Sequence, residues 1–455
     1  MKGHVPTPDE VAEQMVRRLF RDDPPSSADR ILYPGCGTAP FAAAVERVCA
    51  DEGWEPPSGF GVETNPKHLA DARDRGLQHV EFATRDFLST EMLDDGQFEY
   101  IVGNPPYVPI EALDENEKRR YRAEFATAIE RFDLYLLFFE RAMDVLAPEG
   151  RLSFVTPEKF EYVDTAAPLR RLLTSEGRHV EEIEHIDEDA FTGRVTFPCI
   201  TTVRRCQGGE GTVVTLRDGS THTTVLPDNG ASWATNIRDV DLSAMETGAT
   251  LADVTERISP GVATGADDVF VFDRHDVPEG VGSEWTRRTV SGRQLHEFDG
   301  PETDAVFLCP YQDDGSLPEE SELGAFGEWA ERHRGRLEDR SCVKRNGKPW
   351  YAWHENPPME DLLQPKVVFR DIAKEPAFWP ERDGDIVPKH SVYYLVPKHD
   401  VPLDDLLDYL NGPEARMWME ANCQKAANGF YRLQSRVLRD LPLPVEWTRT
   451  YQATL

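Results

Sequence analysis

The first 205 residues alternate between short apolar runs and helical patterns. Strands are predicted at residues 30–34, 59–63, 81–86, 98–102, 151–155, 182–186 and 198–203. A strongly apolar helix is predicted at residues 132–146, between the strands at 98–102 and 151–155. Such alternation is typical of a mostly parallel sheet with ligands at the carboxyl ends of its strands. The pattern predicts an α/β domain built on a seven-stranded, mostly parallel sheet.

The regular alternation stops after residue 205. Residues 206–245 are polar and rich in glycine and threonine, and a hairpin is predicted at Asp218-Gly219. A chain of 455 residues is too long for one ordinary core. We therefore expect an α/β domain over residues 1–240 and an α+β domain over residues 241–455.

The N-terminal helix has a recognisable predicted start. Thr7 stands at the N-cap, Pro8 at the first helical position, and Glu10 completes a capping box. Val11, Met15 and Leu19 then share one face of the helix. Taken alone, this is an ordinary amphipathic helix.

The charge balance is strongly acidic. Asp and Glu number 82 against 50 Lys and Arg, a net charge of −32, and only 11 of the basic residues are lysines. Excess carboxylate with few lysines suggests adaptation to a salt-rich (halophilic) cytoplasm, where the screening length falls to ~3 Å. In such salt, acidity does not exclude nucleic acid, because long-range repulsion is screened and affinity rests on short contacts.

Cysteine usage and hydropathy bear on the compartment. The seven cysteines are scattered, without a CxxC pair, which indicates reduced thiols and no metal site. No apolar run reaches the ~20 residues of a membrane span, and no signal peptide core follows the N-terminus. We expect a soluble, cytoplasmic protein with no membrane partner.

The stretch at residues 98–107 carries the most informative chemistry. A buried strand runs into Asn104-Pro105-Pro106-Tyr107. Two prolines remove two backbone donors, so the loop cannot continue as strand or helix and its carbonyls are left for another partner. The Asn104 oxygen and the Pro105 carbonyl could hold both hydrogens of an exocyclic NH2 group while Tyr107 stacks on the ring. A plain Asn-Pro turn with a half-buried tyrosine is the alternative.

Other polar features fall at the ends of neighbouring predicted strands. Gly35 and Gly37 follow the first strand and let the backbone approach a ligand beside a helix N-terminus. Glu63 ends the second strand, where doubly wound sheets hold a ribose diol, and Asp86 ends the third. Together with Asn104 they predict one site on one rim of the sheet. For the glycines alone, an ordinary strand-to-helix turn is an equally good explanation.

In this order, the motifs resemble those of gamma-class N6-adenine DNA methyltransferases, specifically the TaqI-like group. The resemblance implies a Rossmann-like domain that uses S-adenosyl-L-methionine, with Asn104-Pro105-Pro106-Tyr107 as its catalytic motif. Glu63 matches the ribose-binding acid, and Asp86-Phe87 matches the pair around the cofactor's adenine. The residues that the resemblance assigns to the cofactor are Thr7, Tyr33, Pro34, Gly35, Gly37, Glu63, Asp86 and Phe87.

Two positions depart from the family's pattern. Tyr33 stands where the family usually has an acid that helps to hold the cofactor's amino-acid moiety. Ala39 stands where the loop tends to carry a further glycine. Both bear on cofactor affinity, and neither removes a reacting group.

A later segment, residues 189–195, resembles the family's aromatic motif. This likeness implies that Phe191 stacks on the second face of the target base, opposite Tyr107, and that Arg194 lies near the DNA backbone. A core position at a β-α junction is the alternative for Phe191.

The second half resembles the TaqI-like target-recognition domain more loosely. The likeness lies in residues 259–272, 307–311, 393–397, 406–411 and 430–444. It implies that residues 241–455 read the DNA sequence.

One basic stretch is informative independently of the family resemblance. Residues 331–348 hold seven cations against three acids, and Trp350, Tyr351 and Trp353 follow. A local cationic surplus beside aromatic residues predicts a surface that tracks phosphates, and a solvated helix face is the alternative. The predicted DNA-binding residues here are Arg340, Lys344, Arg345 and Lys348, and a thinner second patch comprises Lys425, Arg432, Arg436 and Arg439.

These predictions describe a site-specific adenine-N6 DNA methyltransferase that flips its target base. Its partners would be double-stranded DNA and, in a restriction-modification system, a separate endonuclease. One alternative is a methyltransferase of protein glutamine or of RNA, since some of these share the Asn-Pro-Pro-Tyr loop but normally lack a second domain of this size. Another is a DNA-specificity subunit with an inactive methyltransferase fold.

Overall fold

The structure is a computed structural model that describes residues 6–21, 23–187, 191, 197–209, 211–240, 248–426, 430–445 and 447. The chain divides into two compact units, Met1–Asp239 and Val240–Leu455. Among the described residues, no helix combines the length and the apolar composition that crossing a bilayer requires.

The first unit is a single large sheet with helices. Its strands are β1 (Arg30–Pro34), β2 (Ser58–Glu63), β3 (Val80–Thr84), β4 (Phe98–Gly103), β5 (Leu146–Pro157), β6 (His179–His185), β7 (Pro198–Arg204), β8 (Thr212–Thr215) and β9 (Thr221–Thr224). Its helices are α1 (Asp9–Leu19), α2 (Pro40–Glu52), α3 (Pro66–Asp74), α4 (Glu115–Glu124), α5 (Leu134–Val145), α6 (Ala167–Leu173) and α7 (Ala234–Ile237).

The strands lie in the order β3-β2-β1-β4-β5-β7-β6-β8-β9. Neighbours from β3 to β5 are parallel, and β7 runs antiparallel to both β5 and β6. The sheet therefore has nine strands, and the predicted seven is wrong. The hairpin predicted at Asp218-Gly219 is present, but it pairs through β8 with β6 and extends the sheet.

Helices cover both faces of the central strands. Leu32 and Ile101 belong to a hydrophobic cluster with α5, whereas Tyr33 and Val102 belong to the cluster with α1 and α2. Successive side chains of a strand point to opposite faces, so both sets must be apolar. This explains why the central strands read as continuous apolar runs.

The predicted cap of α1 is wrong. The helix begins at Asp9 with Pro8 as its N-cap residue, and no side chain caps it. The Thr7 hydroxyl instead accepts a hydrogen bond from the Asn104 amide at 3.0 Å. The amphipathic face is as predicted, with Val11, Met15 and Leu19 buried.

The second unit mixes small antiparallel sheets with short helices, an α+β arrangement. One sheet has the order β10-β17-β14-β16, and two three-stranded sheets have the orders β11-β13-β12 and β15-β19-β18. The strands are β10 (Thr255–Pro260), β11 (Val271–Asp273), β12 (Thr286–Arg288), β13 (Ala305–Leu308), β14 (Lys366–Arg370), β15 (Ile372–Ala373), β16 (Phe378–Glu381), β17 (Val392–Pro397), β18 (Gln424–Ala426) and β19 (Phe430–Arg432). The helices are α8 (Asp267–Phe270), α9 (Gly292–Glu297), α10 (Gly324–Glu331), α11 (Arg334–Glu338), α12 (Ser341–Lys344), α13 (Met359–Leu362), α14 (Leu403–Leu410), α15 (Pro413–Asn422) and α16 (Ser435–Leu438).

Candidate active site

Two cavities adjoin at the carboxyl ends of the central strands. The larger, about 690 Å³, is bordered by Glu63, Asp86 and Asn104. The smaller, about 320 Å³, is bordered by Thr7, Gly37 and Asn104. Ligand sites for small molecules span ~300–1,000 Å³, so both cavities have the size of binding sites. The structure thus brings these predicted residues to one rim.

The glycine loop turns tightly between β1 and α2. Gly35 and Gly37 have φ of 60° and 55°, in the left-handed region that favours glycine. Ala39 has φ of 61° in the same region, at the N-cap of α2. A glycine at this position would adopt the turn without the steric cost that alanine carries.

Glu63 ties the glycine loop to the end of β2. Its carboxylate is 7% exposed and accepts hydrogen bonds from the Gly37 amide (3.1 Å) and the Asn65 amide (2.8 Å). A carboxylate offers about four lone-pair directions. Glu63 therefore holds the loop and keeps acceptor capacity towards the larger cavity.

Asp86 is held from two sides. Its Oδ1 accepts from the Leu88 amide at 3.0 Å, and its Oδ2 pairs with Arg120 of α4 at 2.9 Å. The adjacent Phe87 is buried and packs against Phe138, with the two ring centres 5.0 Å apart. Arg120 also borders the larger cavity.

The sequence interpretation missed α4 and Arg120. A signal was present, because Asp114 and Glu117 form a capping box that starts α4 soon after the loop that follows β4. Tyr121 is the one residue of this helix that is buried. The helix therefore presents a polar side, including Arg120, to the larger cavity.

The loop after β4 is anchored at both ends. Asn104 Nδ2 donates to Thr7 Oγ1 at 3.0 Å, and the Leu134 amide donates to the Val108 carbonyl at 3.0 Å. Among the described residues, the Pro105 carbonyl accepts no hydrogen bond. Pro106 borders the larger cavity. The loop thus presents an amide side chain and a carbonyl on a rigid backbone.

Tyr107 is fixed at its polar end. Its hydroxyl donates to the Val155 carbonyl at 3.3 Å, and its ring meets Tyr135 edge-on, with the ring centres 6.3 Å apart. Burial, with the nearby Cys199, raises the pKa of Tyr107, so the phenol stays protonated. The residue as a whole is partly buried and packs against the hydrophobic cluster that contains α5.

Three further residues are predicted to belong to the site: Tyr33, Phe191 and Arg194. Tyr33 borders the smaller cavity, but its hydroxyl bonds to His79 Nε2 at 3.0 Å inside the protein, so it does not replace the family's acid. Phe191 is 3% exposed and belongs to the cluster with α1 and α2, the core position given above as the alternative. Arg194 lies outside the described residues.

A buried charged cluster lies at the ends of β5, β6 and β7. His185 Nε2 lies 3.0 Å from Glu161 and 3.7 Å from Glu158, which also pairs with Arg217 at 2.7 Å. Burial alone would lower the pKa of His185, but Glu161 and Glu158 outweigh burial and raise it. The cluster ties together the segment after β5, the end of β6 and the turn after β8.

The raised pKa of His185 predicts a pH-dependent stability. A group that binds its proton more tightly when folded stabilises the protein below its unfolded pKa of about 6.5, and this contribution is lost as the pH rises through the folded pKa. We expect the free energy of unfolding lost in His185→Gln to be larger at about pH 6 than at about pH 9. Urea denaturation across this range measures it.

His222→Gln is the matched control, because the ring of His222 bonds to the Asn236 carbonyl at 2.9 Å instead of to a carboxylate. A loss in His185→Gln that is constant with pH, or that grows with rising pH, contradicts the assignment of a protonated His185.

Arg340 does not face a ligand, and its prediction as a DNA-binding residue is corrected. The residue is 7% exposed, and its guanidinium donates to the carbonyls of Leu337 (3.0 Å), Thr264 (2.8 Å) and Trp350 (2.6 Å). A buried guanidinium with three carbonyl partners cannot reach a phosphate. It joins segments of the second unit instead.

Three of the six other cations of residues 331–348 form ion pairs. Arg334 pairs with three glutamates, and Arg336 pairs with Asp268. Glu320, one of the three glutamates, and Asp268 lie outside residues 331–348, so a count of charge within that stretch omits them. Lys344 pairs with Asp339 at 2.8 Å, and Lys348 donates to the His354 carbonyl at 2.8 Å. Within the described part of the chain, Arg332 and Arg345 form no ion pair. The predicted aromatic neighbours Trp350, Tyr351 and Trp353 are buried in the core.

Comparison with known proteins relates this chain to DNA-modifying enzymes. Residues 61–191 match the family model described as Eco57I restriction-modification methylase. The Type II methyltransferase M.XhoI of Xanthomonas vasicola is 26% identical over 404 residues, which cover 81% of this chain and 72% of that protein. M.PaeR7I of Pseudomonas aeruginosa is 28% identical over 387 residues, which cover 79% of this chain and 66% of that protein.

The fold is also that of a solved restriction-modification enzyme. The Type IIL enzyme MmeI, solved in complex with DNA, aligns with a TM-score of 0.65 at 14% sequence identity. The alignment covers 95% of this chain and 67% of that one, and at this identity it shows the fold alone. Relatives of this chain are thus Type II methyltransferases of restriction-modification systems, and part of each relative lies outside the matched region.

Proposed function

We propose that this chain transfers a methyl group from S-adenosylmethionine to N6 of an adenine in a specific duplex sequence, as the modification enzyme of a restriction-modification system. The observation that carries the proposal is the loop after β4. Asn104 borders both cavities, and the neighbouring Pro105 carbonyl accepts no hydrogen bond among the described residues. These are two acceptors suited to one amino group.

The two cavities fit the cofactor. Glu63 and Asp86 offer carboxylate acceptors for a ribose diol and an adenine amino group, and Phe87 supplies an apolar wall. In the smaller cavity, Gly37 and the N-terminus of α2 suit a carboxylate. When bound, S-adenosylmethionine supplies an electrophilic methyl group.

The chain's own residues would activate the amine by positioning. The lone pair of an exocyclic adenine nitrogen is conjugated into the ring, which makes it a poor nucleophile. Asn104 Oδ1 and the Pro105 carbonyl would accept its two hydrogens and favour tetrahedral geometry, which frees the lone pair. No strong base is required, because the proton leaves after the nitrogen has become positive, so catalysis is positioning and electrostatics.

The target base must leave the duplex to reach this loop. Tyr107 is a partly exposed residue with a fixed hydroxyl, which suits a stacking partner. Arg194 would contact the DNA backbone. In the second unit Arg345 is the strongest remaining candidate, ahead of Lys344, which pairs with Asp339, and Lys348, which donates to the His354 carbonyl.

Methyl transfer to DNA tests the proposal directly. The protein is incubated with methyl-labelled S-adenosylmethionine and duplex DNA of mixed sequence in molar potassium chloride, and the product is digested to nucleosides. We expect label in N6-methyladenine at one sequence context. Label that appears only in protein or RNA, or in cytosine, rejects the proposal.

Arg120 provides a second test, of the cofactor site. It holds Asp86 Oδ2, and both side chains are part-exposed, so salt screens the pair. We expect Arg120→Ala to weaken S-adenosylmethionine binding roughly 3–10-fold at low salt, and less in molar salt. Calorimetric titration measures both affinities.

Arg119→Ala is the matched control, because Arg119 lies on the same helix but bonds to Asn116 (2.6 Å) and not to Asp86. Equal losses in the two variants would mean that α4 as a whole, and not the pair with Asp86, sets the affinity.

A further inference from the structure

The Thr7 hydroxyl lies 3.0 Å from Asn104 Nδ2, although the two residues are 97 positions apart. We infer that Thr7 is a positioning residue, which holds the Asn104 amide with its oxygen available to the substrate amine. This inference rests on the proposed function and deepens it. It differs from the cofactor contact that the family resemblance implies for Thr7.

The backbone around Thr7 is rigid. Pro6 and Pro8 flank it, and a residue before proline is confined to extended conformations. Pro8 then leads directly into α1, and its carbonyl accepts from the Ala12 amide at 3.0 Å. The backbone of Thr7 therefore has little freedom to follow a moving partner.

The helix that follows Thr7 is fixed on two sides. Gln14 donates to both carboxylate oxygens of Glu184 on β6, at 3.0 and 3.1 Å. Glu13 pairs with Arg47 on α2 at 2.6 Å. The apolar face between these contacts is buried. Thr7 is thus part of a preformed frame against which the amide of Asn104 is oriented.

The amide needs such a partner because its two ends have opposite hydrogen-bonding character. When Oδ1 accepts from a substrate amine, Nδ2 turns to the other side of the planar group and must donate elsewhere. Thr7 Oγ1 is an acceptor that the structure provides there. In the reversed orientation, the amide NH2 would face the substrate NH2, two donors with no acceptor between them. Removing Oγ1 therefore weakens the productive orientation.

The cofactor role is the competing interpretation, because Thr7 also borders the smaller cavity. The two roles differ in what a missing hydroxyl changes. A cofactor contact lowers the affinity for S-adenosylmethionine, whereas a positioning contact lowers the rate of methyl transfer at saturating cofactor and DNA.

The experiment compares Thr7→Val, which keeps the shape and loses the hydroxyl, with Thr7→Ser, which keeps the hydroxyl. The full chain is assayed by single-turnover methyl transfer, and calorimetry gives the dissociation constant of S-adenosylmethionine. We expect Thr7→Val to transfer methyl roughly 5–30-fold more slowly, with cofactor affinity within about 3-fold of wild type. Thr7→Ser should recover most of the rate. Thr223→Val, an exposed threonine on β9, is the matched control.

A second arm uses Asn104→Ala as background. Adding Thr7→Val to it should cost no further rate, because the group that Thr7 orients is already gone. A wild-type rate in Thr7→Val, an equal loss in Thr7→Ser, or a loss confined to cofactor affinity overturns the inference while the proposed function stands. A wild-type protein that methylates no DNA overturns the proposed function itself.

Discussion

Replacing Asn104 with alanine is expected to lower the rate of methyl transfer roughly 10²–10³-fold or more. The variant loses the acceptor that, with the Pro105 carbonyl, would orient the substrate amine. The side chain donates to Thr7 at the edge of two cavities, so we expect the fold to persist. Single-turnover assays with excess enzyme isolate the chemical step from binding.

Binding should survive this substitution. Glu63 and Asp86 border the larger cavity independently of Asn104, so we expect the dissociation constants of cofactor and DNA to stay within about 3-fold of wild type. Asn229→Ala is the control, because this exposed side chain bonds to the Ala231 amide away from the site. An Asn104→Ala protein that methylates at close to the wild-type rate would contradict the assigned role.

The position of the candidate site at one edge of the sheet was predictable, because that edge follows from the local pattern of strands and helices. Parallel strands end on the same edge, so Glu63, Asp86 and Asn104 had to approach one another once the strands were identified. The two prolines after Asn104 likewise dictate a loop whose carbonyls are free of secondary structure. No knowledge of distant contacts was needed for either conclusion.

The predictions of the α1 cap and of the number of strands were wrong because contacts between distant residues override the local rules. Capping rules assign the Thr7 hydroxyl to its own helix, yet it bonds to a residue 97 positions away. The hairpin of β8 and β9 was predicted from its turn, but its pairing with β6 depends on packing that the turn does not encode.

The basic stretch shows the same limit for charge. A count along residues 331–348 treats every cation as exposed, but Arg340 is buried with three carbonyl partners. Arg336 is neutralised by Asp268, 68 positions away. Burial and partners that are distant in sequence decide whether a cation can reach a phosphate, and a count of charge along a short stretch includes neither. Interfaces for DNA are therefore the least predictable part of this sequence.

The same reasoning predicts a large stability effect in the second unit. The Lys366 side chain is 0% exposed and pairs with Glu381, itself 3% exposed, across β14 and β16. The ammonium also donates to the carbonyls of Leu362 (2.8 Å) and Gln364 (2.9 Å). Lys366→Met would leave the Glu381 carboxylate buried without its cation, so we expect the free energy of unfolding to fall by about 3–5 kcal/mol.

Urea denaturation followed by tryptophan fluorescence measures this loss, since seven of the nine tryptophans lie in the second unit. Adding Glu381→Gln to Lys366→Met should recover part of the loss, because the neutral amide keeps an oxygen for the Asp383 and Gly384 amides without a buried charge. Lys344→Met, which breaks an exposed pair with Asp339, should change stability by less than about 1 kcal/mol. Equal losses in Lys366→Met and Lys344→Met would show that the charge of the buried lysine does not stabilise the unit. A double variant that is less stable than Lys366→Met would show that the Glu381 carboxylate stabilises the unit even without its cation.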